Sequence, residues 1–321
     1  MKKLISALLI ILFAVPTSAS AADTTANDIT LTADVAGKYS LIYSGTAADP
    51  IVLHGNGHTV QCLSITGNYI EAEGVNVVGC YGHSIFVRAH DVKVHHSTVR
   101  NSVTKNGTTS CGINGSWDSA LKSETGSYNI EFSDNIIERN CGEGIGVTMT
   151  HDFLVTRNTV IDNYSVDIYV DNSYNGVVSN NTTAYTGNSA YFRNGRTGGC
   201  IILGAENYAS YGWVNKVANI TFADNSLSNC GGISYYNPTG TTAVNISFVN
   251  NIFSNVRLPV ISVTGALIVN GTMLPPTITP TITITPTRTP TRTPTVTPSI
   301  SPTPTMTCSE DAKLYFCYRI K

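Results

Sequence analysis

Acidic side chains gather in one stretch near the middle of this sequence. Asp167 and Asp171 flank Tyr169 in the segment VDIYVD, and Glu206 lies further along the chain. Carboxylate oxygens are the ligands that Ca²⁺ prefers in proteins. Asp167, Asp171 and Glu206 are therefore a candidate calcium site, and Asp167 is also a candidate catalytic residue.

Two arginines, Arg193 and Arg196, stand close together in the segment YFRNGR. Elimination from a uronate polymer requires a cation beside the substrate carboxylate and a base beside the α-carbon. These arginines are therefore candidate catalytic residues of a polysaccharide lyase. Hydrolysis requires instead two carboxyl groups about 5–10 Å apart. Asp167 and Asp171 would be about 13 Å apart on one strand, so Asp167 with Glu143 from a neighbouring strand is the better pair.

Aromatic and amide side chains accompany the charged residues. Sugar rings pack their C–H faces on aromatic rings, while Asn and Asp side chains hydrogen-bond to sugar hydroxyl groups. On this basis the candidate substrate-binding residues are Trp117, Asn114, Tyr169, Tyr191 and Tyr208. The alternative interpretation is that these outward residues are ordinary solvated surface.

A repeated phrase that ends on asparagine predicts the elements that carry these residues. It reads IEFSDNII, FLVTRNTV, ITFADNSL and ISFVNNIF, with its last asparagine at Asn135, Asn158, Asn225 and Asn251. Apolar residues lie five and three positions before that asparagine and two positions after it, which is the pattern of a strand, a tight turn and a second strand. The period of about 23 residues, without helical periodicity, predicts the stacked rungs of a parallel β-solenoid.

The asparagines themselves are explained by this architecture. An Asn side chain tolerates left-handed backbone at a turn and hydrogen-bonds neighbouring backbone groups. Because the rungs stack, we expect the asparagine side chains to form a buried ladder in which each amide satisfies the next.

The repeat is interrupted after Ser97 and after Asn181, by roughly 15 and 21 residues. Such insertions form loops that often make up a binding face. A further strand recurs after each phrase, with inward pairs such as Ile145 and Val147. The outward column between these pairs is predicted to contain Phe86, Asn114, Gly146, Tyr169, Ile202 and Ser234.

These repeats, together with the opening segment PIVLHGNGHTVQC, resemble the right-handed parallel β-helix proteins of the pectin-lyase-like superfamily, within its uncharacterised secreted branch. The resemblance covers residues 28–270. It implies an all-β, right-handed parallel β-helix of about seven rungs, followed by a disordered Thr/Pro-rich spacer. Members of the superfamily include pectate lyases, other polysaccharide lyases, polygalacturonase-type hydrolases, phage tailspikes and adhesins.

The sequence departs from the catalytic patterns of those families. It lacks the Asn-x-Asp, Asp-Asp and Gly-His-Gly series of polygalacturonases and the Arg-x-Pro-x-x-Arg signature of classical pectate lyases. The leading hypothesis is therefore recognition of extracellular or cell-surface polysaccharide along a central groove, with lyase activity and a Ca²⁺ cofactor as its enzymatic form. A glycoside hydrolase is the second enzymatic form. The alternative is a non-catalytic, surface-displayed, adhesin-like protein.

Composition divides the chain into five segments. Two lysines, an apolar run and the segment ASA predict a signal peptide over 1–21, and hence a secreted or surface-displayed protein. An N-terminal cap follows over 22–49, and the β-helix domain covers 50–272. Closely spaced prolines over 273–307 exclude helix and sheet, which predicts an extended linker, and a short tail with two cysteines completes 308–321.

Eight cysteines in an exported chain predict disulfides. The sequence does not determine their connectivity. Sequential pairing is the simplest pattern and gives Cys62–Cys80, Cys111–Cys141, Cys200–Cys230 and Cys308–Cys317, and isolated buried thiols are the alternative. Charged residues make up only 12% of the chain and form no basic stripe, so nucleic acid is excluded as an expected partner. After residue 21 no apolar run is long enough to span a membrane; attachment to a cell surface would use the C-terminal spacer and tail.

Overall fold

A computed structural model describes residues 22–25, 27–104, 111, 115–257 and 269–273. These residues form strands, turns and two short 3₁₀ helices, Ser189–Tyr191 and Ala209–Tyr211. The prediction of a parallel β-helix is confirmed, because nearly every strand pairs in parallel with the strand one rung away.

The strands of the N-terminal part are β1 (Ala22–Thr25), β2 (Asp28–Leu31), β3 (Val35–Leu41), β4 (Ile51–His54), β5 (Thr59–Ile65), β6 (Ile70–Glu73), β7 (Asn76–Val78), β8 (Ile85–Val87), β9 (His90–His95), β10 (Thr98–Arg100), β11 (Ser119–Ser123) and β12 (Tyr128–Ser133). The remaining strands are β13 (Ile136–Glu138), β14 (Glu143–Thr148), β15 (His151–Thr156), β16 (Thr159–Ile161), β17 (Val166–Asp171), β18 (Tyr174–Ser179), β19 (Thr182–Ala184), β20 (Gly199–Gly204), β21 (Ala218–Ala223), β22 (Ser226–Ser228), β23 (Ile233–Tyr236), β24 (Val244–Ser254) and β25 (Val269–Met273).

The strands stack in three columns, and a rung consists of one strand from each. The first column contains β2, β4, β6, β9, β12, β15, β18, β21 and the start of β24. The second contains β7, β10, β13, β16, β19, β22 and the end of β24. The third contains the ends of β3 and β5, then β8, β11, β14, β17, β20 and β23.

The stack extends beyond the seven repeats that the sequence phrase identifies. At its start, β2 pairs in parallel with β4 and β3 pairs with β5, so residues 28–41 already lie in the columns. At the other end of the stack, β25 pairs in parallel with β24. Only β1 departs from the pattern among the described strands, because it pairs antiparallel with β2.

The core fills the inside of the columns with the apolar residues of the repeated phrase. Phe132, Val155 and Phe222 are buried in the first column, as the two-residue period predicts. Gly176, which breaks the apolar pattern, has a packing reason. A Cβ at Gly176 would lie 2.0 Å from Cζ of Phe153, so the phenylalanine ring of the preceding rung occupies the space that a side chain would need.

The predicted asparagine ladder is present. Asn135 Nδ2 donates to Asn158 Oδ1 at 3.0 Å, and the same contact repeats through Asn181 and Asn225 to Asn251. The left-handed residue, however, is the one before each ladder asparagine, for example Asp134 and Arg157. The expectation that the ladder asparagine itself adopts left-handed backbone is therefore wrong: its side chain points inward, and its neighbour makes the turn.

Three of the four predicted disulfides are confirmed: Cys62–Cys80, Cys111–Cys141 and Cys200–Cys230. The fourth predicted pair lies outside the described residues, as do the predicted signal peptide, nearly all of the linker and the tail. Within the part of the chain that the structure describes, no helix has the length and hydropathy to cross a membrane.

Candidate functional site

The outward face of the third column is covered, unlike that of the first column. Every residue of β14 and β17 is buried, whereas β12 and β15 alternate between buried and accessible residues. Polar residues project from this covered face, and burial without compensation would be costly for them.

The register of the third column determines which residues share this face. Lys122 pairs with Phe86 on one side and Gly146 on the other, and the row continues through Tyr169 to Ile202. The predicted outward column is correct except in one rung. Lys122 occupies the position that the sequence prediction gave to Asn114, and Asn114 lies outside the described residues.

Glu143 lies at the start of β14 with its carboxyl group buried. Ser119 Oγ donates to Glu143 Oε2 at 2.6 Å. Gly146 leaves room for this contact, because a Cβ there would lie 2.1 Å from Ser119 Oγ and 3.6 Å from Glu143 Oε2. Burial raises the pKa of Glu143 to about 7, although the positive charge of Lys122 opposes the shift.

Asp171, at the end of β17, is the centre of a second group. Its Oδ1 accepts hydrogen bonds from the backbone N–H of Glu206 at 3.1 Å and from Asn172 Nδ2 at 3.0 Å. Its Oδ2 accepts from the hydroxyl of Tyr208 at 2.8 Å. Burial raises the pKa of Asp171 to about 6 against the effect of these hydrogen bonds.

Tyr169, on the same strand as Asp171, contacts the carboxyl group of Glu206. Its hydroxyl donates to Glu206 Oε1 at 3.0 Å. Gly204 permits this arrangement, because a Cβ there would lie 2.6 Å from the Tyr169 hydroxyl and 2.7 Å from Asp171 Oδ1. Burial also raises the pKa of Tyr169, and the charges of Asp171 and Glu206 add to that shift.

We call Lys122, Glu143, Tyr169, Asp171, Glu206 and Tyr208 the third-column cluster. Its members come from three consecutive strands of the third column, β11, β14 and β17, and from the segment that follows β20. Lys122 Nζ lies 4.0 Å from Glu124 Oε2, and the lysine side chain is 13% exposed. The cluster therefore combines one cation, three carboxyl groups and two phenol groups.

Asp167 does not belong to this cluster. A second, shorter ladder runs from Ser102 through Asn140 to Asn163, and Asn163 Nδ2 donates to Asp167 Oδ1 at 3.0 Å. Asp167 is fully buried, and burial raises its pKa well above its usual range. The prediction that Asp167 faces outward beside Asp171 is wrong, because its carboxyl group is the last acceptor of an internal ladder.

The predicted calcium ligands are consequently not brought together. Asp167 belongs to the ladder, and both carboxylate oxygens of Asp171 are occupied by protein donors. Among the described residues, the group of His, Asp, Glu or Cys with three ligand atoms in mutual reach is Glu71, Glu73 and His95, which lies on the first column. The donor set of Asp167, Asp171 and Glu206 does not fit Ca²⁺.

The remaining predicted residues lie where the chain turns from the second column into the third. The guanidinium carbon of Arg193 lies 3.6 Å from the ring centroid of Trp117, so the two long insertions contact each other. Arg193 and Arg196 exchange backbone hydrogen bonds of 2.9 and 3.0 Å across a tight turn. Tyr191 is buried against the Cys111–Cys141 disulfide and packs with Tyr164.

Sequence reasoning therefore found Tyr169, Tyr208, Asp171 and Glu206 but did not place Lys122 in the outward column. The spacing contains a signal for it. In the rungs of Ile85 and Ile145 the inward residue of the third column precedes the first apolar residue of the next phrase by seven and eight positions. Leu121 precedes Ile130 by nine positions and Ile113 precedes it by 17, so Leu121, followed by Lys122, fits that spacing better than Ile113.

Comparisons with known proteins report similarity at low identity. No family model matches the chain, and no curated protein matches it. The alginate lyase from Paenibacillus sp. str. FPU-7 is 16% identical over 76% of this chain and 91% of its own, with a TM-score of 0.42. The A-module of the Azotobacter vinelandii mannuronan C-5 epimerase AlgE6 is 11% identical over 76% and 75%, with a TM-score of 0.39.

The DFA-IIIase from Arthrobacter chlorophenolicus A6, without its lid and in complex with GF2, is 11% identical. The match covers 76% of this chain and 58% of that one, with a TM-score of 0.43.

Proposed function

We propose that this protein binds a polysaccharide along the outward face of the third column. The observation that carries the proposal is the third-column cluster itself. Its carboxyl and phenol groups come from consecutive rungs and lie on one face, and Glu206 and Tyr208, from the segment after β20, are partly accessible at its edge. A polysaccharide-binding surface needs polar groups that hydrogen-bond to sugar hydroxyls, beside aromatic rings on which the sugar rings pack.

The compartment in which this would happen follows from the disulfides. Three pairs within one described domain are typical of an oxidising environment outside the cytoplasm. We therefore place the proposed ligand among extracellular or cell-surface polysaccharides. The predicted signal peptide agrees with this, and attachment through the C-terminal spacer and tail stays a prediction.

Cleavage of the bound polysaccharide is the second candidate function, and Glu143 is the reason to consider it. A carboxyl group with a pKa of about 7 is protonated for about half the time at neutral pH, so it can donate a proton to a leaving group. Asp171, with a pKa of about 6, is mainly ionised under the same conditions. Hydrolysis is therefore tested beside the elimination that Arg193 and Arg196 suggested.

The test is incubation of the full chain with a panel of neutral and uronate-containing polysaccharides, in Ca²⁺ and in chelator. Binding is followed by affinity electrophoresis and elimination by ultraviolet absorbance of the unsaturated product. Hydrolysis is followed by new reducing ends that form without that absorbance, because elimination also releases a reducing end. We expect retention by at least one polysaccharide in either buffer. New reducing ends that form without ultraviolet absorbance and vanish in Glu143→Gln would establish hydrolysis.

Failure to bind any member of a broad panel would remove the proposal. It would leave the alternative of a display scaffold whose polar network is structural.

A further inference from the structure

A second group of titratable side chains lies on the outward face of the first column, near the start of the solenoid. His54, Glu73 and His95 are directly in register on β4, β6 and β9. Glu71 lies two residues before Glu73 on the same face of β6. In-register side chains on stacked strands are about 4.8 Å apart, which brings groups from three rungs within reach of one another.

The contacts within this group join imidazole nitrogens to carboxylates. His95 Nε2 lies 2.8 Å from Glu71 Oε1, and His54 Nδ1 lies 2.5 Å from Glu73 Oε1. One ligand atom each from Glu71, Glu73 and His95 lie within 4.8 Å of one another. The side chains of His95 and Glu71 are 14% and 32% exposed, so the site is reachable from solvent and partly shielded from it.

The other ring nitrogen of His95 also has a partner. His95 Nδ1 lies 2.7 Å from His96 Nδ1, which fixes the orientation of the His95 ring. A metal-bound histidine commonly has its second nitrogen held in this manner, because the outer hydrogen bond sets the tautomer and the ring plane. Beside the group is an open pocket of about 410 Å³, lined among others by His54, Glu73 and His96.

The charges around the group favour a cation. Asp28 Oδ1 lies 3.9 Å from His54 Nε2, and Glu131 lies two rungs along the row that contains Glu71. The cation in that row is Lys93, whose ammonium group lies 3.9 Å from Glu131. Glu71 and Glu73 are thus two carboxylates whose nearby partners are imidazoles, which can exchange a proton for a metal ion.

We propose that Glu71, Glu73 and His95 bind one Zn²⁺ ion, with His54 orienting the Glu73 carboxylate. Zn²⁺ accepts imidazole nitrogen together with carboxylate oxygen, whereas Ca²⁺ prefers a shell made entirely of oxygen. The ion would link β6 to β9 and so cross-link two neighbouring rungs near the start of the solenoid. The site is on a different column from the proposed polysaccharide site and does not rest on that function.

The experiment uses the untagged full chain after exhaustive dialysis against chelator. Calorimetric titration with Zn²⁺ at pH 7.5 should give one ion per chain, and Zn²⁺ should raise the Tm, since a ligand of the folded state stabilises it. Glu73→Gln and His95→Gln should each weaken binding at least tenfold and abolish the rise in Tm. His151→Gln is a matched control on the same column and should bind as the unaltered chain does.

Substitution by Co²⁺ identifies the ligands independently of the variants. A weak visible spectrum without thiolate charge-transfer bands is expected for nitrogen and oxygen donors. The proposal is overturned by a stoichiometry below one ion in the unaltered chain, by binding that survives His95→Gln, by Ca²⁺ binding more tightly than Zn²⁺, or by a thiolate band. These outcomes concern the Zn²⁺ site alone. The polysaccharide site is tested separately, by polysaccharide binding to the Asp171→Asn variant.

Discussion

The first and third columns are built from the same two-residue alternation, yet their outward faces differ. Along β12 and β15 the outward residues reach solvent, and along β14 and β17 they are buried. Strand sequence alone does not produce the difference. The third column is bordered by the segments that interrupt the repeat, and Tyr208 and Glu206 from one of them hydrogen-bond to its outward residues.

The comparison separates two ways of burying a polar group in this fold. In the asparagine ladder each amide repeats the contact of the one before, so every group is satisfied by the periodicity itself. In the third-column cluster each contact is different, and burial raises the pKa of Glu143 and Asp171. Repetition therefore indicates structure, and the loss of repetition together with a shifted pKa indicates a candidate site.

The largest effect on stability is expected from the ladder. Asn158→Ala removes four hydrogen bonds, to Asn135, Phe132 and Asn181, and leaves buried partners unsatisfied. We expect a loss of about 4 kcal/mol in the free energy of unfolding, measured by urea denaturation. Asn76→Ala is the control, because its single bond to Gly57 is near the surface, and it should cost less than about 1 kcal/mol.

An equal loss in the free energy of unfolding for Asn158→Ala and Asn76→Ala would contradict the assignment of the ladder as the structural polar element.

A smaller effect on the free energy of unfolding is expected from the third-column cluster, as a dependence of stability on pH. Burial raises the pKa of Glu143 from its ordinary 4.5 to about 7, so the folded chain holds a proton that the unfolded chain has lost between these values. The contribution of Glu143 to stability is therefore fully present below pH 4.5 and is lost as the pH rises through 7, by up to about 3 kcal/mol. Asp171 acts in the same direction, with a pKa of about 6.

Glu143→Gln should flatten the decline in stability between pH 5 and pH 8, as measured by urea denaturation at each pH. Glu138→Gln, at a partly exposed carboxyl group on the second column, should leave the slope unchanged. An undiminished slope in Glu143→Gln would show that its carboxyl group is not the buried acid described above.

The sequence predicted the columns and the ladder because both depend on spacing alone, and the three disulfides follow the simplest, sequential pairing. It misplaced Asp167 for a physical reason. Strict alternation puts residues 167, 169 and 171 on one face, but Ala120 and Cys200, which occupy the position of Asp167 in other rungs, are both core residues. Asp167 and Ile168 are consecutive and both face inward, so the alternation is interrupted between them. The pattern of apolar residues in the sequence does not show this interruption.

The first-column group was missed because its members are distant in sequence and close only through the register. His95 and Glu71 are 24 residues apart, which is one rung. Knowing the register in advance would have revealed the pair. The pKa shift of Glu143 could not be predicted at all, since it depends on the segments that cover the third column.

The most direct test of the central claim compares polysaccharide binding by variants of the two faces. Asp171→Asn and Tyr169→Phe alter the third-column cluster, and Glu131→Gln alters a polar residue on the first column. With the polysaccharide that the panel identifies, titration calorimetry should show binding at least tenfold weaker in both cluster variants and unchanged in Glu131→Gln. Unchanged binding in folded Asp171→Asn and Tyr169→Phe would contradict the claim that this face is the binding site.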